Sequence, residues 1–352
     1  MILTYRFRLK DKHVAELNRQ ARAVNVVWNY CNETQQKASR AGRSPLRARD
    51  LVKLTAGSST HLDIHSHTVQ MTCRQYASSR SVRNRNWLKF RGRKSLGWVP
   101  FNQGHVARIG GKRFRFRGRL YECMHEREMP PDAVILGGSF SQDARGRWYL
   151  NCPVEVSSIH CASNTSAVGI DLGLDRLGIL STGETVAAPR HYRLAEKRLA
   201  SASRANKQRL VRSIAAHVAN QRRDHLHKVS RALTLAHDLI FVGDVSSEKL
   251  ARTRMAKSVY DAGWSTFRSM LSYKAIRHGG RMIEVNERMT SQLCSNCGVV
   301  GGPKGIAQLG IREWKCGGCG ATHDRDVNAA LNILARGMAS LAEGAAKERS
   351  IQ

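Results

Sequence analysis

The sequence predicts an α/β protein in two parts: a basic first half of one strand, helices and many short strands, then a second half organised around a mixed sheet. Three observations predict it. After residue 166, short apolar runs alternate with longer amphipathic ones, the pattern of an α/β layer. Between 92 and 156, glycines and Pro100 punctuate segments too short for helices. Finally, 58 Lys+Arg against 27 Asp+Glu give a formal charge of +31, shared by both parts.

Taken in order, Ile2 to Leu9 has β-branched and aromatic residues with cations between them and reads as a strand. Val14, Leu17, Ala21, Val24, Trp28 and Cys31 recur at helical spacing, and Arg19, Arg22 and Lys37 fall on the outer face. Further helix is expected near 46–55 and 66–91. Lys112 to Arg117 alternates with period two, Gly118 turns the chain, and Arg119-Leu120-Tyr121 returns; Arg147 to Val154 is another strand. Ser157 to Ser166 reads as a linker. Beyond it come strands at 168–171 and 177–181, and a long helix or helix pair from about 191 to 237. A buried-type strand at 239–242, a helix at 264–278 and a strand at 281–285 complete the pattern.

The charge excludes several classes. Cutting after Thr165 leaves 29 Lys+Arg against 11 acids (+18) and 29 against 16 (+13), so neither half is balanced. Ile64 to Tyr121 holds 14 Lys+Arg and no acid in 58 residues, interleaved with Tyr76, Trp87, Phe90, Trp98, Phe101, Phe114, Phe116 and Tyr121. Such cations suit phosphates, and the rings either stack on bases or fill a core. A polyanionic partner is expected and a membrane is not: no run approaches the ~18 apolar residues of a span, and the start lacks the apolar core of a signal peptide. A cytoplasmic protein is therefore expected. His61, His65 and His67 lie in a polar segment without further ligands, and are read as phosphate-facing or solvated rather than as a metal site.

Nine cysteines argue against a fully paired disulfide framework. Five are scattered, whereas Cys294, Cys297, Cys316 and Cys319 form two Cys-x-x-Cys pairs separated by 18 residues. Four thiolates complete a zinc tetrahedron and leave no open position, so a structural Zn²⁺ is expected. Among carboxylates, Asp171 ends an apolar strand, where sites of open α/β sheets collect. Asp324 and Asp326 open a helix, where an acid also serves as a cap.

Together, Gly169-Ile170-Asp171-Leu172-Gly173-Leu174, Asn220-x-Arg222-Arg223-Asp224-His225-Leu226-His227-Lys228, Thr290-Ser291-Gln292-x-Cys294-x-x-Cys297-Gly298, and Cys316-x-x-Cys319-Gly320 running on to Asp324-Arg325-Asp326-x-Asn328-Ala329-Ala330 resemble TnpB, the OrfB-type protein of insertion sequences and relative of type V CRISPR effectors. The resemblance covers about 167 to 336 strongly, and the opening strand and helix and the Gly146-Arg147-Trp148-Tyr149 region more weakly. It implies an RNase H-like RuvC domain with an inserted zinc ribbon, preceded by an oligonucleotide-binding β-barrel (wedge) domain with a helical recognition insert. The implied boundaries are 1–10 for the first barrel strand, 11–91 for the recognition helices and 92–160 for the rest of the barrel. The nuclease domain takes 161–293, the zinc ribbon 294–322, and the last helix and tail 323–352.

The implied activity is RNA-guided, Mg²⁺-dependent cleavage of target double-stranded DNA, with one protein per guide RNA and two Mg²⁺ ions held by clustered acids. Position assigns Asp171 as the first-strand acid and Asp326, in its Asp-x-Asn-Ala context, as the helix acid. The family's fourth-strand Glu is replaced by Gly243. Asp244 has the wrong strand parity to stand in, and Glu248 lies further on. Glu287 shares parity with Ile283 and Val285 and can enter the space that Gly243 leaves, so the expected triad is Asp171, Glu287 and Asp326. Two other readings go with the resemblance: a nuclease-inactive, RNA-guided DNA-binding repressor, and a miniature type V CRISPR effector. A transposase acting by itself would need a tyrosine with paired histidines, which the sequence does not offer.

Overall fold

The computed structural model describes residues 2–126, 129, 133–156, 166–245, 256–304, 308 and 310–349, in two units, 1–157 and 158–352. The expected linker at 157–166 and Glu248 fall outside the described residues, except for Ser166.

In the first unit, β1 (Ile2–Arg8) leads through a single 3-10 turn into α1 (Val14–Arg40), α2 (Ala48–Leu54), α3 (Ser58–His61) and α4 (Ser66–Val82). Strands follow: β2 (Trp98–Asn102), β3 (Val106–Gly110), β4 (Arg113–Phe116), β5 (Arg119–Glu122), β6 (Val134–Ile135), β7 (Gly137–Gln142) and β8 (Trp148–Glu155). One antiparallel sheet runs β1-β8-β7-β2 with β6 on β8; β3, β4 and β5 form another. The alternation read in the sequence is the burial pattern of β4, with Phe114 and Phe116 inward and Arg113 and Arg115 in solvent. Arg117 (φ 53°) and Gly118 (φ 72°) make the tight turn into β5, the two left-handed positions that match strand twist.

The aromatic residues of the acid-free stretch are mostly structural. Tyr76, Phe101, Phe114, Phe116 and Tyr121 are buried, and Phe140 gathers Phe101, Phe116 and Tyr121 at ring distances of 5.1–5.6 Å. Base stacking by these five is therefore excluded, while Trp87 and Phe90 remain exposed. The helix expected over 66–91 stops at Val82. Asn84 is left-handed (φ 45°), and side chains of α1 claim the chain beyond it: Asn32 bonds both N and O of Leu88, and Asn29 both N and O of Arg91. A backbone satisfied by side chains has no need of helix bonds. Of the histidines, His61 is exposed, whereas His65 caps α4, and its ring and that of His67 meet His105 at 4.6 and 4.2 Å.

The second unit contains β9 (Ala167–Leu172), β10 (Arg176–Leu180), β11 (Thr185–Ala187), α5 (His191–Arg204), α6 (Gln208–Ala236), β12 (Leu239–Gly243), α7 (Ala256–Ala262) and α8 (Trp264–Arg277). Then come β13 (Arg281–Val285), β14 (Glu313–Lys315), β15 (Thr322–Asp324) and α9 (Arg325–Arg349). The long helical stretch is a pair, broken at Asn206 (φ 51°). The mixed sheet is ordered β11-β10-β9-β12-β13, antiparallel up to β9 and parallel across β9, β12 and β13.

Strand parity divides its two faces. Val168, Ile170, Ile240 and Val242 pack with Leu226, Leu233, Trp264, Phe267 and Leu271 of α6 and α8. Phe241 and Val285 pack with Ile333 of α9 on the other face. There α9 comes very close: a Cβ placed on Gly169 would lie 2.2 Å from the Ala330 carbonyl oxygen. Only a residue without a side chain lets helix and strand approach so tightly.

Candidate functional site

Asp171, Gly243 and Glu287 lie at the C-terminal ends of three parallel strands, or just beyond them. Asp171 has the parity of Gly169 and therefore faces α9; Gly243 has the parity of Phe241, which packs on that same helix. Gly243 is in register with Val285, so Glu287, two residues further, returns to the same face. A Cβ added to Gly243 would come within 2.9 Å of Glu287 Oε2 and 3.3 Å of its Cβ. The Glu287 side chain thus occupies the space a longer residue at 243 would claim. Asp326, in the first turn of α9, is the third acid on this face.

Electrostatics tie the three together. The Asp171 carboxyl is pushed up to about 8 by burial first, then by the charges of Asp326 and Glu287. Glu287 rises to about 7 through burial and the charge of Asp244. Mutually repelling acids without a full complement of cationic partners favour cation binding. Among the described residues the tight cluster of ligand atoms, all within 4.8 Å of one another, is that of the four cysteines. A cation on the ribbon holds one of the acids: Arg312 Nη1 lies 2.7 Å from Asp326 and its Nη2 lies 3.2 Å from Asp175. Sequence reasoning missed Arg312, although a lone arginine just ahead of the Glu313–Lys315 strand was the available signal.

The other acids have different work. Asp324 Oδ1 accepts the N–H groups of Asp326 and Val327 at 2.9 Å each, so it caps α9. Asp244 is exposed, and its Oδ1 accepts the Glu287 N–H at 3.0 Å, fixing the backbone that carries Glu287. Asn328 is buried, donating to the Leu293 carbonyl at 2.7 Å and accepting from Ser295 N at 2.8 Å; Asn332, one turn on, donates to Leu293 as well. The Asp-x-Asn pattern therefore joins the acid-bearing helix to the first cysteine knuckle.

A raised acid in the native state has a definite sign. Asp171 goes from 3.8 to about 8, so between those values the folded chain holds a proton that the unfolded chain has released, and stability falls as pH rises through that window. Asp171→Asn should therefore stabilise the metal-free protein at pH 8 by about 2 kcal/mol, well below the full worth of the shift because water reaches this half-buried group. Thermal unfolding should show a rise of roughly 4–8 °C at pH 8 and little change at pH 4.

The cysteines form the second cluster. Cys294 and Cys319 sulfurs are 3.7 Å apart, and Cys297 and Cys316 sulfurs 3.6 Å. The edge of a tetrahedron with ~2.3 Å Zn–S bonds is ~3.8 Å, so the spacing fits a zinc ion. Gly298 (φ 76°) and Gly320 (φ 75°) let each knuckle fold back, and their N–H groups bond to the Cys294 and Cys316 carbonyls at 2.8 and 3.0 Å. The N–H of Ala321 and the amide of Asn296 hold the Cys319 thiol below its ordinary value, favouring the thiolate. One zinc per chain is expected by elemental analysis of the purified protein, with Cys294→Ser losing it.

The family model described as "Cas12f1-like, TNB domain" matches residues 264–333, and the OrfB_IS605 model, described as "Probable transposase", matches 151–254. A Streptomyces pristinaespiralis protein with the provisional name RNA-guided DNA endonuclease is 31% identical over 367 residues, covering 97% of this chain and 90% of its own. InsQ of Escherichia coli K12, named in the same provisional way, is 30% identical over 240 residues, 60% of this chain and 59% of its own. The TnpB-like protein L79 of Acanthamoeba polyphaga mimivirus is 30% identical over 129 residues, 34% of this chain and 24% of its own. With similarity running through nearly its whole length and the two family models matching 151–254 and 264–333, this chain belongs to the OrfB/TnpB family.

Proposed function

We propose that the protein is an RNA-guided DNA endonuclease that hydrolyses the backbone of guide-matched DNA at Asp171, Glu287 and Asp326. The observation that carries this reading is the Glu287 carboxylate over Gly243, on the same sheet face as Asp171 and beside the helix that bears Asp326. The sheet order, three antiparallel strands continued by two parallel ones, fits an RNase H-like RuvC domain. The two-sheet first unit fits a wedge barrel with a helical recognition insert, with domain limits as the sequence suggests, and a cytoplasmic setting with one protein per guide RNA completes the reading. The charge of +31 suits a chain that must hold both RNA and DNA.

All-oxygen donors suit Mg²⁺, which when bound supplies Lewis-acid charge and an activated water at the scissile phosphate. The protein's part is positional. Asp171 and Glu287 release their protons as cationic charge enters, since burial and mutual repulsion are what raise them. Asp244 fixes the Glu287 backbone, and Asp324 with Asn328 fixes the helix that presents Asp326. Arg312, which pairs with Asp326, is placed to turn toward a phosphate once that carboxylate is otherwise engaged.

The test is to purify the protein with its co-expressed RNA, sequence that RNA, and challenge the complex with duplexes carrying the matching target and randomised flanks. A discrete bound RNA and Mg²⁺-dependent cuts beside a short flanking motif are expected. Absence of any bound RNA defeats the proposal.

A further inference from the structure

One strongly charged cavity of the second unit takes no part in the acidic edge or the cysteine cluster. It encloses about 280 Å³ between the start of α5, the middle of α6 and the end of α7. The motif Asn220 to Lys228, which catalysis leaves without a role, supplies one wall. On α6, Arg222, His225 and Leu226 share a face three and four residues apart and line the cavity, whereas Asp224 and Lys228 pair with each other in solvent at 2.7 Å.

The wall is apolar at Leu174, Leu177 and Leu226, and polar at Arg193, Arg222 and the His191 and His225 rings. Its acids are already engaged. Both Asp261 oxygens accept the Tyr192 N–H, at 2.9 and 3.0 Å, which caps α5, and Asp175 pairs with Arg190 and Arg312. Among the described residues Arg222 has no carboxylate partner, and its Nη1 donates to the Tyr260 carbonyl at 2.8 Å. His191 Nε2 is buried without any hydrogen-bond partner, a state that a native structure ordinarily avoids.

We propose that this cavity is a nucleotide site, taking one phosphate-bearing nucleoside unit with its phosphate against Arg222, Arg193 and His191 and its nucleoside on the leucine wall. The forked donors of arginine match phosphate oxygens, an anion gives His191 Nε2 its missing partner, and the volume lies just under the ~300–1,000 Å³ of ligand pockets. The unit comes either from a strand of bound nucleic acid or from a free mononucleotide, with the same chemistry. The inference stands independently of cleavage.

Anion binding is also linked to protonation. His191 is held below its ordinary value by burial and by His225, Arg222 and His217, against the opposing charge of Asp261. A bound phosphate favours the imidazolium, so the midpoint of His191 moves up on binding and affinity rises as pH falls.

The experiment is a titration of the full chain, ¹⁵N-labelled at histidine, with 5′-AMP, adenosine and inorganic phosphate. The His191 ring signals are identified by their loss in His191→Gln. AMP is expected to shift them saturably and raise their titration midpoint, with adenosine and phosphate each binding at least about tenfold more weakly. Arg222→Gln should weaken AMP by about tenfold or more, as should Arg193→Ala at an exposed helix position, which spares the fold. Arg223→Gln, pointing to solvent, should leave it within about twofold. A short single strand that displaces AMP assigns the site to a nucleic-acid strand, and one that does not assigns it to a free nucleotide; either supports a nucleotide site. Unmoved His191 signals, equal affinity for phosphate and AMP, or an Arg223→Gln loss as large as that of Arg222→Gln overturns the proposal.

Discussion

Glu287→Gln is expected to slow cleavage of guide-matched DNA by about a thousandfold, while Asp244→Asn slows it by less than about tenfold. The amide keeps the size of Glu287 over Gly243, so the fold survives, but it removes one of the negative charges that make the edge attractive to cations. Asp244 touches Glu287 through the backbone N–H, which an asparagine oxygen accepts as well, and its charge serves only to raise the Glu287 carboxyl. Single-turnover rates of the RNA-loaded variants separate the two roles. Intact cleavage in Glu287→Gln, combined with abolition in Asp244→Asn or Glu248→Gln, would move the third acid elsewhere.

Gly169→Val should be severely damaging although position 169 bears no charge. A Cβ at 169 meets the Ala330 carbonyl at 2.2 Å and Leu334 N at 2.8 Å, and both are backbone atoms that cannot rotate aside. Relief requires α9 to lift from β9, at a cost of about 3 kcal/mol or more. The melting temperature should fall by roughly 6–12 °C. Because α9 carries Asp326 while β9 carries Asp171, cleavage should fall even at temperatures where the variant is folded. A variant with wild-type stability would show that the close contact is not required.

Much of this was legible in the sequence because period and burial are coupled. Phe114 and Phe116 alternate with arginines and are buried, and the apolar run Leu239 to Val242 is covered on both sheet faces. The cysteine cluster was legible from spacing, because two short loops bring four sulfurs together whatever surrounds them. The space at Gly243 was legible from parity, since residues two apart on a strand share a face.

What local pattern could not show depends on distant partners. The segment 84–91 carries helix-compatible residues, yet Asn29 and Asn32, more than fifty positions earlier, bond its backbone and hold it out of the helix. The rings of the acid-free stretch and the cations beside them look alike in composition, and only the packing, around Phe140 for three of them and on Phe7 and Trp28 for two more, assigns most of the rings to the core. Arg312 reaches Asp326 because its carbonyl accepts the Arg325 N–H at 2.7 Å, across the width of the ribbon.

The glycine at 243, where the resemblance implies a glutamate, makes activity itself the central claim. The most direct measurement is the fate of a guide-matched duplex incubated with the wild-type protein loaded with its own RNA, with Mg²⁺ and with EDTA. Cleavage that needs both the match and Mg²⁺ is the predicted result. A duplex that is bound tightly and specifically but stays whole in Mg²⁺ would contradict it, and would make the protein a guided DNA-binding repressor.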